Sequence, residues 1–307
     1  MPSLRSRFYY LAMRYAARPR FKLDIPPEIL RTGLEKSARW LRVPRDVRVE
    51  RVSVEDIPAE WLVPTDAAAE QVLLYLHGGG YFMGSCRTHR SMVAYIARAC
   101  RTRALLPDYR LAPEHPFPAA LEDSTAIYRW LLEEGYAPRN IVIAGDSAGG
   151  GLTLTTLLAL RDGGDPLPAA AICLSPWTDL AGTGESIRTR ANRDPMLRVD
   201  MTLATAAYYI GEDEATNPLI SPVYADLTGL PPLLIHVGNE EILLSDAVRL
   251  ADRAREAGVD VTLEVWEQMW HVWHLLGDKM PESKRAIDEI AAFVGEKLGQ
   301  TDRVAAV

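Results

Sequence analysis

The chain has 307 residues, of which 48% are hydrophobic and 24% are charged, and its net charge is −7 at pH 7. This length fits one large α/β domain with a smaller lid, and the composition is ample for a buried core. The negative net charge argues against nucleic acid as a partner. Three cysteines without CxxC spacing (Cys86, Cys100 and Cys173) indicate buried, reduced thiols and predict a cytoplasmic protein.

The N-terminal segment is basic and aromatic. Residues 1–51 contain 13 Lys and Arg against 5 Asp and Glu. Arg14 interrupts the only early apolar stretch and no small-residue cleavage pattern follows, so we predict no export signal; no apolar run reaches the ~18 residues of a membrane span. We expect a helix that packs its aromatic face on the same chain, with contact to an anionic membrane surface as the alternative.

From residue 47 onward, short apolar runs alternate with helical segments. The runs 47–54 and 59–64 predict an antiparallel strand pair. Further runs predict strands at 72–76, 103–109, 141–145, 169–176, 232–238 and 261–266. The continuous apolar run 72–76 is typical of a strand covered on both faces, and 141–145 is expected to be buried as well. Helices are expected at 87–101, 119–134, 148–161, 245–257 and 282–298. This alternation predicts an α/β fold, with a mostly parallel central sheet and helices on both faces.

One connection is too long for this alternation. About 55 residues separate the strands at 169–176 and 232–238, and they include a predicted helix at 198–210. We interpret this insertion as a lid that roofs the sheet together with the N-terminal arm. The predicted division is therefore a discontinuous helical cap of residues 1–46 and 181–220, and a catalytic domain of residues 47–180 and 221–307.

A G-x-S-x-G pattern, residues 145–149, lies between a predicted strand and a predicted helix. A sharp strand-to-helix turn exposes the serine hydroxyl above the sheet, and the flanking glycines remove the Cβ clashes that such a turn creates. The helix N-terminus behind it supplies free N–H groups. Ser147 is therefore the candidate nucleophile.

The sequence His77-Gly78-Gly79-Gly80 directly follows the strand at 72–76. Successive glycines let backbone N–H groups approach a substrate closely, as the oxyanion of a tetrahedral intermediate requires. The candidate donors are the amides of Gly79 and Gly80, joined by that of Ala148. No Lys-Ser/Thr follows the glycines, which excludes a phosphate-binding P-loop. Phe82 and Met83, beside the glycines, are expected to line the substrate pocket.

A serine nucleophile needs a base and an orienting acid, which this kind of fold places after later strands in the order Ser, Asp/Glu, His. Two histidines, His271 and His274, follow the last strand and compete for the role of base. Three carboxylates follow the preceding strand and compete for the role of acid: Glu240, Glu241 and Asp246. The spacing alone leaves both choices open.

Four motifs together are similar to the hormone-sensitive-lipase-like esterases: HGGGY at 77–81, DYRLAPEHPFPAA at 108–120, GDSAGG at 145–150 and SPWTDL at 175–180. The resemblance runs from about residue 47 to the C-terminus. It implies an α/β-hydrolase fold with a helical cap, hydrolysis of short- to medium-chain acyl esters and a Ser-Asp-His triad. It also implies no metal or organic cofactor, a small-molecule ester as partner and a possible homodimer.

The resemblance assigns the base but leaves the acid open. The family places its histidine in a Met-x-His-x-aromatic pattern, which here selects His271 and makes His274 structural. The family usually has Asp at the acid position, where this chain has Glu241. We assign Glu241 as the acid and keep Asp246 and Glu240 as alternatives.

Two other classes of protein remain as alternatives at this point. Plant gibberellin receptors resemble the family but bind a ligand and lack the histidine, which this chain retains. An amidase, peptidase or acyltransferase would use the same scaffold, and a panel of ester and amide substrates distinguishes these activities.

Overall fold

The computed structural model describes residues 2–18 and 25–300. Residues 1 and 19–24 of the predicted cap, and 301–307 of the predicted catalytic domain, lie outside this part. The described residues form eight strands: β1 (Val47–Val54), β2 (Ile57–Pro64), β3 (Ala68–Leu76), β4 (Thr102–Pro107), β5 (Ile141–Asp146), β6 (Ala170–Leu174), β7 (Leu233–Gly238) and β8 (Val261–Trp266).

The strands form one sheet in the order β1-β2-β4-β3-β5-β6-β7-β8. Strand β2 pairs antiparallel with β1 and β4, whereas all pairs from β4 to β8 are parallel. The predicted antiparallel pair and the mostly parallel sheet are both confirmed. Because the parallel strands all end at one edge, the loops after β3, β5, β7 and β8 lie on the same side of the molecule.

The described residues also form nine α-helices: α1 (Leu4–Ala12), α2 (Pro27–Ala38), α3 (Cys86–Cys100), α4 (Ala119–Glu133), α5 (Ala148–Gly163), α6 (Ser186–Thr189), α7 (Val199–Ile210), α8 (Leu244–Glu256) and α9 (Pro281–Lys297). Helices α4, α5 and α8 pack on one face of the sheet, and α3 and α9 pack on the other. Along β3, Leu74 and Leu76 point to the first core while Leu73 and Tyr75 point to the second. The two-faced architecture explains why β3 to β7 appear as uninterrupted apolar runs.

The structure departs from the predicted bounds mainly at β3. The apolar run predicted a strand at 72–76, but β3 begins at Ala68. Residues 69–70 are exposed and the pairing with β4 shifts register between Ala68 and Val72. The first residues of β3 therefore lie outside the part of the sheet that helices cover. Polar side chains are tolerated there because they remain exposed to solvent.

The predicted cap segments contain helices α1, α2, α6 and α7, and residues Met13–Ala17 continue α1 as a π-helical turn. Tyr9, Tyr10 and Met13 pack against a cluster that includes Trp266 and Trp270. The aromatic face of the arm therefore packs on the same chain only in part. None of the helices in the described ranges is both long and apolar enough to cross a bilayer.

Candidate active site

Ser147 occupies a strained turn between β5 and α5. Its backbone angles are φ 54° and ψ −121°, a conformation that a residue with a Cβ rarely adopts. The turn is held because the Ser147 N–H donates to the Leu174 carbonyl at 2.8 Å and the Trp177 N–H donates to the Ser147 carbonyl at 2.9 Å. The hydroxyl does not cap the described helix α5. Strand β6 and its following loop therefore position this serine at the sheet edge.

Glycines allow the serine turn to touch the end of β3. A Cβ at Gly149 would lie 2.0 Å from the Leu76 carbonyl oxygen, and a Cβ at Gly78 would lie 2.2 Å from Oδ2 of Asp146. The buried Asp146 carboxylate bridges the two segments: its Oδ1 accepts the Gly78 N–H at 3.1 Å and the Tyr75 hydroxyl at 3.0 Å. The serine turn and the glycine loop are thereby one unit.

The glycine loop presents unused N–H groups beside this turn. Gly79 and Gly80 have φ of 124° and 63°, which only glycine adopts without strain. Among residues 2–18 and 25–300, no acceptor receives the N–H of Gly79, Gly80 or Ala148. These are the donors expected from the sequence, and they are available to an anionic oxygen.

Phe82 and Met83, which the sequence predicts to line the substrate pocket, follow the glycine loop. Phe82 is buried, and its ring meets that of Tyr208 in α7 edge-on at a centroid distance of 6.1 Å. The Met83 N–H donates to the Gly79 carbonyl at 3.0 Å and closes the loop. Phe82 thus connects the glycine loop to the insertion.

His77 supports the loop from below. Its Nδ1 lies 2.8 Å from the Gly78 carbonyl, and its ring stacks on that of Tyr109 at a centroid distance of 4.2 Å. Burial, reinforced by the neighbouring His89, lowers the pKa of His77 to about 4, so it is neutral at physiological pH.

The base and acid candidates meet on the loops after β7 and β8. Nδ1 of His271 lies 2.8 Å from Oε2 of Glu241, and both side chains are buried. A carboxylate in this position fixes the tautomer of the imidazole, because Nδ1 must carry the proton that it donates. His274 instead lies with its Nε2 3.2 Å from Nδ1 of His236. The two histidines therefore have separate contacts.

Other groups hold the Glu241 carboxylate in place. Its Oε1 accepts the Gly238 N–H at 2.6 Å and the Ser175 hydroxyl at 2.7 Å. The Ser175 oxygen in turn accepts the Val272 N–H, next to His271, at 3.1 Å. Sequence reasoning assigned no role to Ser175, although it opens the SPWTDL motif, because its partners are distant along the chain.

The alternative acids have other partners. Oδ2 of Asp246, in α8, accepts the N–H groups of Thr178 and Asp179 at 3.0 and 2.9 Å. Burial and the charge of Asp179 raise the pKa of Asp246 to about 8. Oε2 of Glu240 accepts from Nε of Arg193 at 2.8 Å. Of the three carboxylates considered, Glu241 is the one that contacts His271.

The surroundings of His271 favour its charged form. Burial lowers its pKa, but the hydrogen bond and charge of Glu241, with smaller contributions from Asp194 and Asp146, outweigh burial and raise the pKa above 6.5. The loop after β6 joins this pair to the serine turn, because Leu174 accepts the Ser147 N–H while Ser175 contacts both Glu241 and the Val272 N–H. An imidazole that gains a proton is therefore stabilised here.

Asp194 is a second site residue that the sequence did not reveal. It comes from the insertion, its Oδ2 accepts the Ile242 N–H at 3.0 Å, and its Oδ1 accepts the Met196 and Leu197 N–H groups at 2.8 Å. Burial raises its pKa to about 6, against the opposing effects of His271 and the Ile242 N–H. Asp194 thus connects the insertion to the loop that carries Glu241.

Comparison with known proteins identifies the fold and the family of this chain. Residues 73–275 match a family described as having the alpha/beta hydrolase fold. An acetyl-hydrolase of Streptomyces hygroscopicus is 47% identical over 249 residues, which cover 81% of this chain and 83% of that protein. An esterase of Acinetobacter venetianus is 34% identical over 273 residues, covering 89% and 90%.

A solved structure is similar over almost the whole chain. The crystal structure of an esterase from the bacterial hormone-sensitive lipase family shares 47% identity and a TM-score of 0.93, covering 97% of this chain and 99% of that one. Fold and site thus define an α/β-hydrolase. Within that class, the chain belongs to the hormone-sensitive-lipase-like esterases and is a carboxylic ester hydrolase.

Proposed function

We propose that this esterase cleaves short- to medium-chain acyl esters through an acyl-enzyme on Ser147, with His271 as base and Glu241 as the orienting acid. The hydrogen bond of 2.8 Å between His271 and Glu241, on loops beside the strained Ser147 turn, carries the proposal. The names of relatives as an acetyl-hydrolase and an esterase support a small acyl group.

In the first half of the reaction, the Ser147 oxygen attacks the ester carbonyl carbon while Nε2 of His271 takes the hydroxyl proton. The carbonyl electron pair moves onto oxygen, and the N–H groups of Gly79, Gly80 and Ala148 stabilise that oxyanion. The carbon–oxygen bond to the alcohol then breaks, and the alcohol leaves with the proton from His271. An acyl-Ser147 ester remains.

In the second half, water replaces the alcohol. His271 takes a proton from a water molecule while the water oxygen attacks the acyl carbon. It then returns that proton to the Ser147 oxygen as the carboxylic acid product leaves. Glu241 stays ionised and stabilises the imidazolium that forms in each half. The hydrogen bonds from the Gly238 N–H and the Ser175 hydroxyl hold Oε1 of Glu241 in place.

We also propose that the arm and the insertion, residues 1–46 and 181–220, form a cap that limits the acyl chain. Arg31 in α2 supports this role, because it donates to the carbonyls of Phe82 at 2.5 Å and Ala112 at 2.6 Å. It also pairs with Glu114 at 2.7 Å. The arm thereby holds the loop that continues from the oxyanion glycines.

Ser147→Ala should lower kcat by roughly 10⁴-fold or more and leave the fold intact, because alanine has the same Cβ and only the nucleophile is lost. Mass spectrometry of the wild type after a fluorophosphonate probe should find the label on Ser147. Ser53→Ala, in the exposed part of β1, is the control. A label on another residue would contradict the assignment.

Glu241→Gln should lower kcat by several orders of magnitude, since it removes the charge that stabilises the imidazolium. Glu241→Asp should retain measurable activity at a reduced rate, because a displacement of ~1 Å can cost ~10²-fold. Asp246→Asn is the matched control and should stay within a few-fold of wild type, because a carboxyl with a pKa of about 8 is mostly neutral at pH 7. The reverse order of effects would make Asp246 the acid.

The pH dependence of kcat/KM should rise through a pKa above 6.5, because His271 must be neutral to act as base and its pKa is raised. In Glu241→Gln the remaining effect of burial should move this limb to lower pH. Glu267→Gln, an exposed carboxylate after β8, is the control and should leave the limb in place. An unchanged limb in Glu241→Gln would show that another group titrates.

Arg31→Ala should shift the preferred acyl length in a p-nitrophenyl ester series, by about tenfold in relative kcat/KM between butyrate and decanoate, if α2 shapes the pocket. Arg39→Ala, whose guanidinium lies over the exposed Trp40 ring, is the matched control. If Arg31→Ala leaves the relative kcat/KM values of the ester series unchanged, the cap does not determine the preferred acyl length.

A further inference from the structure

The N-terminal arm exposes a row of large apolar side chains, here called the apolar stripe. Its members are Leu4, Phe8, Leu11 and Tyr15, which are 82%, 67%, 53% and 72% exposed. Their spacing of four, three and four residues places them on one side of the helix. Isolated exposed apolar residues are common, but a continuous row on one helix indicates an interaction surface.

The opposite side of α1 already has its partners. Tyr9, Tyr10 and Met13 pack on the tryptophan cluster, with the Tyr10 and Trp270 ring centroids 6.3 Å apart. The Tyr10 hydroxyl donates to the Arg193 carbonyl at 2.7 Å. The Ser3 N–H donates to Oε1 of Glu282 at 2.6 Å. These contacts fix the helix with the apolar stripe directed away from the protein.

The charge of the arm is opposite to that of the whole chain. Residues 1–23 contain six Lys or Arg and no Asp or Glu, whereas the chain has a net charge of −7. Arg5 and Arg7 are exposed and lie on either side of the stripe. An apolar row flanked by arginines is typical of a helix that lies in the interface of an anionic bilayer.

A shallow notch at the start of α1 combines the same two properties. It has a volume of about 470 Å³ and is lined by Leu4, Arg5, Phe8, Tyr9 and Lys279. Apolar walls with two cations suit a phospholipid, whose phosphate would meet Arg5 and Lys279 while its acyl chain meets Leu4 and Phe8. An acidic groove beyond Pro2, which includes Glu264 and Glu282, opposes this attraction, so the apolar contact is needed as well.

We propose that the apolar stripe docks the esterase on the surface of an anionic phospholipid bilayer, with α1 lying in the interface. A second copy of the chain fits this surface less well. In a twofold dimer through the stripe, the same cationic face would lie on both sides and the arginines would repel.

The test measures binding directly and does not depend on ester turnover. The full chain should co-sediment with phosphatidylcholine vesicles that contain about 30 mol% phosphatidylglycerol, and about 0.5 M salt should release it. Leu4→Ser/Phe8→Ser/Leu11→Ser should lower the partition coefficient at least about tenfold. Arg5→Gln/Arg7→Gln should lower it for anionic vesicles while pure phosphatidylcholine shows little binding to any variant.

Val49→Thr is the matched control, because it changes an apolar group that is 36% exposed on β1, at the opposite edge of the sheet from β8. All variants should keep the wild-type far-UV circular dichroism spectrum and a melting temperature within a few degrees of wild type, which shows that they are folded. Equal vesicle binding by wild type and the stripe variant overturns the proposal. A second result would also overturn it: the wild type is a dimer that does not bind vesicles, and the stripe substitutions dissociate this dimer in sedimentation velocity. The stripe would then join two copies of the chain.

Discussion

The architecture of this esterase depends on a backbone contact that leaves no room for a side chain. The N-terminus of α5 touches the end of β3 so closely that a Cβ at Gly149 would lie 2.0 Å from the Leu76 carbonyl oxygen. Backbone at such a contact cannot shift to accommodate a methyl group without separating sheet and helix. The strained Ser147 turn and the glycine loop that carries the unused amides of Gly79 and Gly80 meet at this contact.

A buried charge organises the other half of the site. Glu241 is enclosed completely, and an ion in such a place is stable only when its oxygens are hydrogen-bonded. Gly238, Ser175 and His271 supply those bonds. Ser175 also binds the backbone beside His271, so the loops after β6, β7 and β8 converge on one carboxylate. This convergence gives the Glu241 carboxylate a defined position beside His271.

Much of the fold could be predicted because its signals are local. Short apolar runs marked the covered strands, and the G-x-S-x-G and HGGG patterns mark turns whose backbone demands glycine. The exposed start of β3 was missed because it lacks that apolar pattern. Ser175 and Asp194 were missed for a different reason. Their partners, Glu241 and Ile242, lie far away in sequence, and nothing near either residue indicates that contact.

The contact of Asp194 restricts how the insertion can move. Its carboxylate receives an N–H from Ile242 on one side and from Met196 and Leu197 on the other. A rigid swing of the whole insertion would pull on the residue next to Glu241 and disturb the charge beneath His271. Helix α7 is held as well, because the Phe117 N–H donates to the Tyr209 carbonyl at 2.8 Å and the Tyr209 ring stacks on that of Tyr81 at a centroid distance of 3.7 Å. The insertion is therefore fastened at two places, beside Glu241 through Asp194 and beside the glycine loop through Tyr208 and Tyr209.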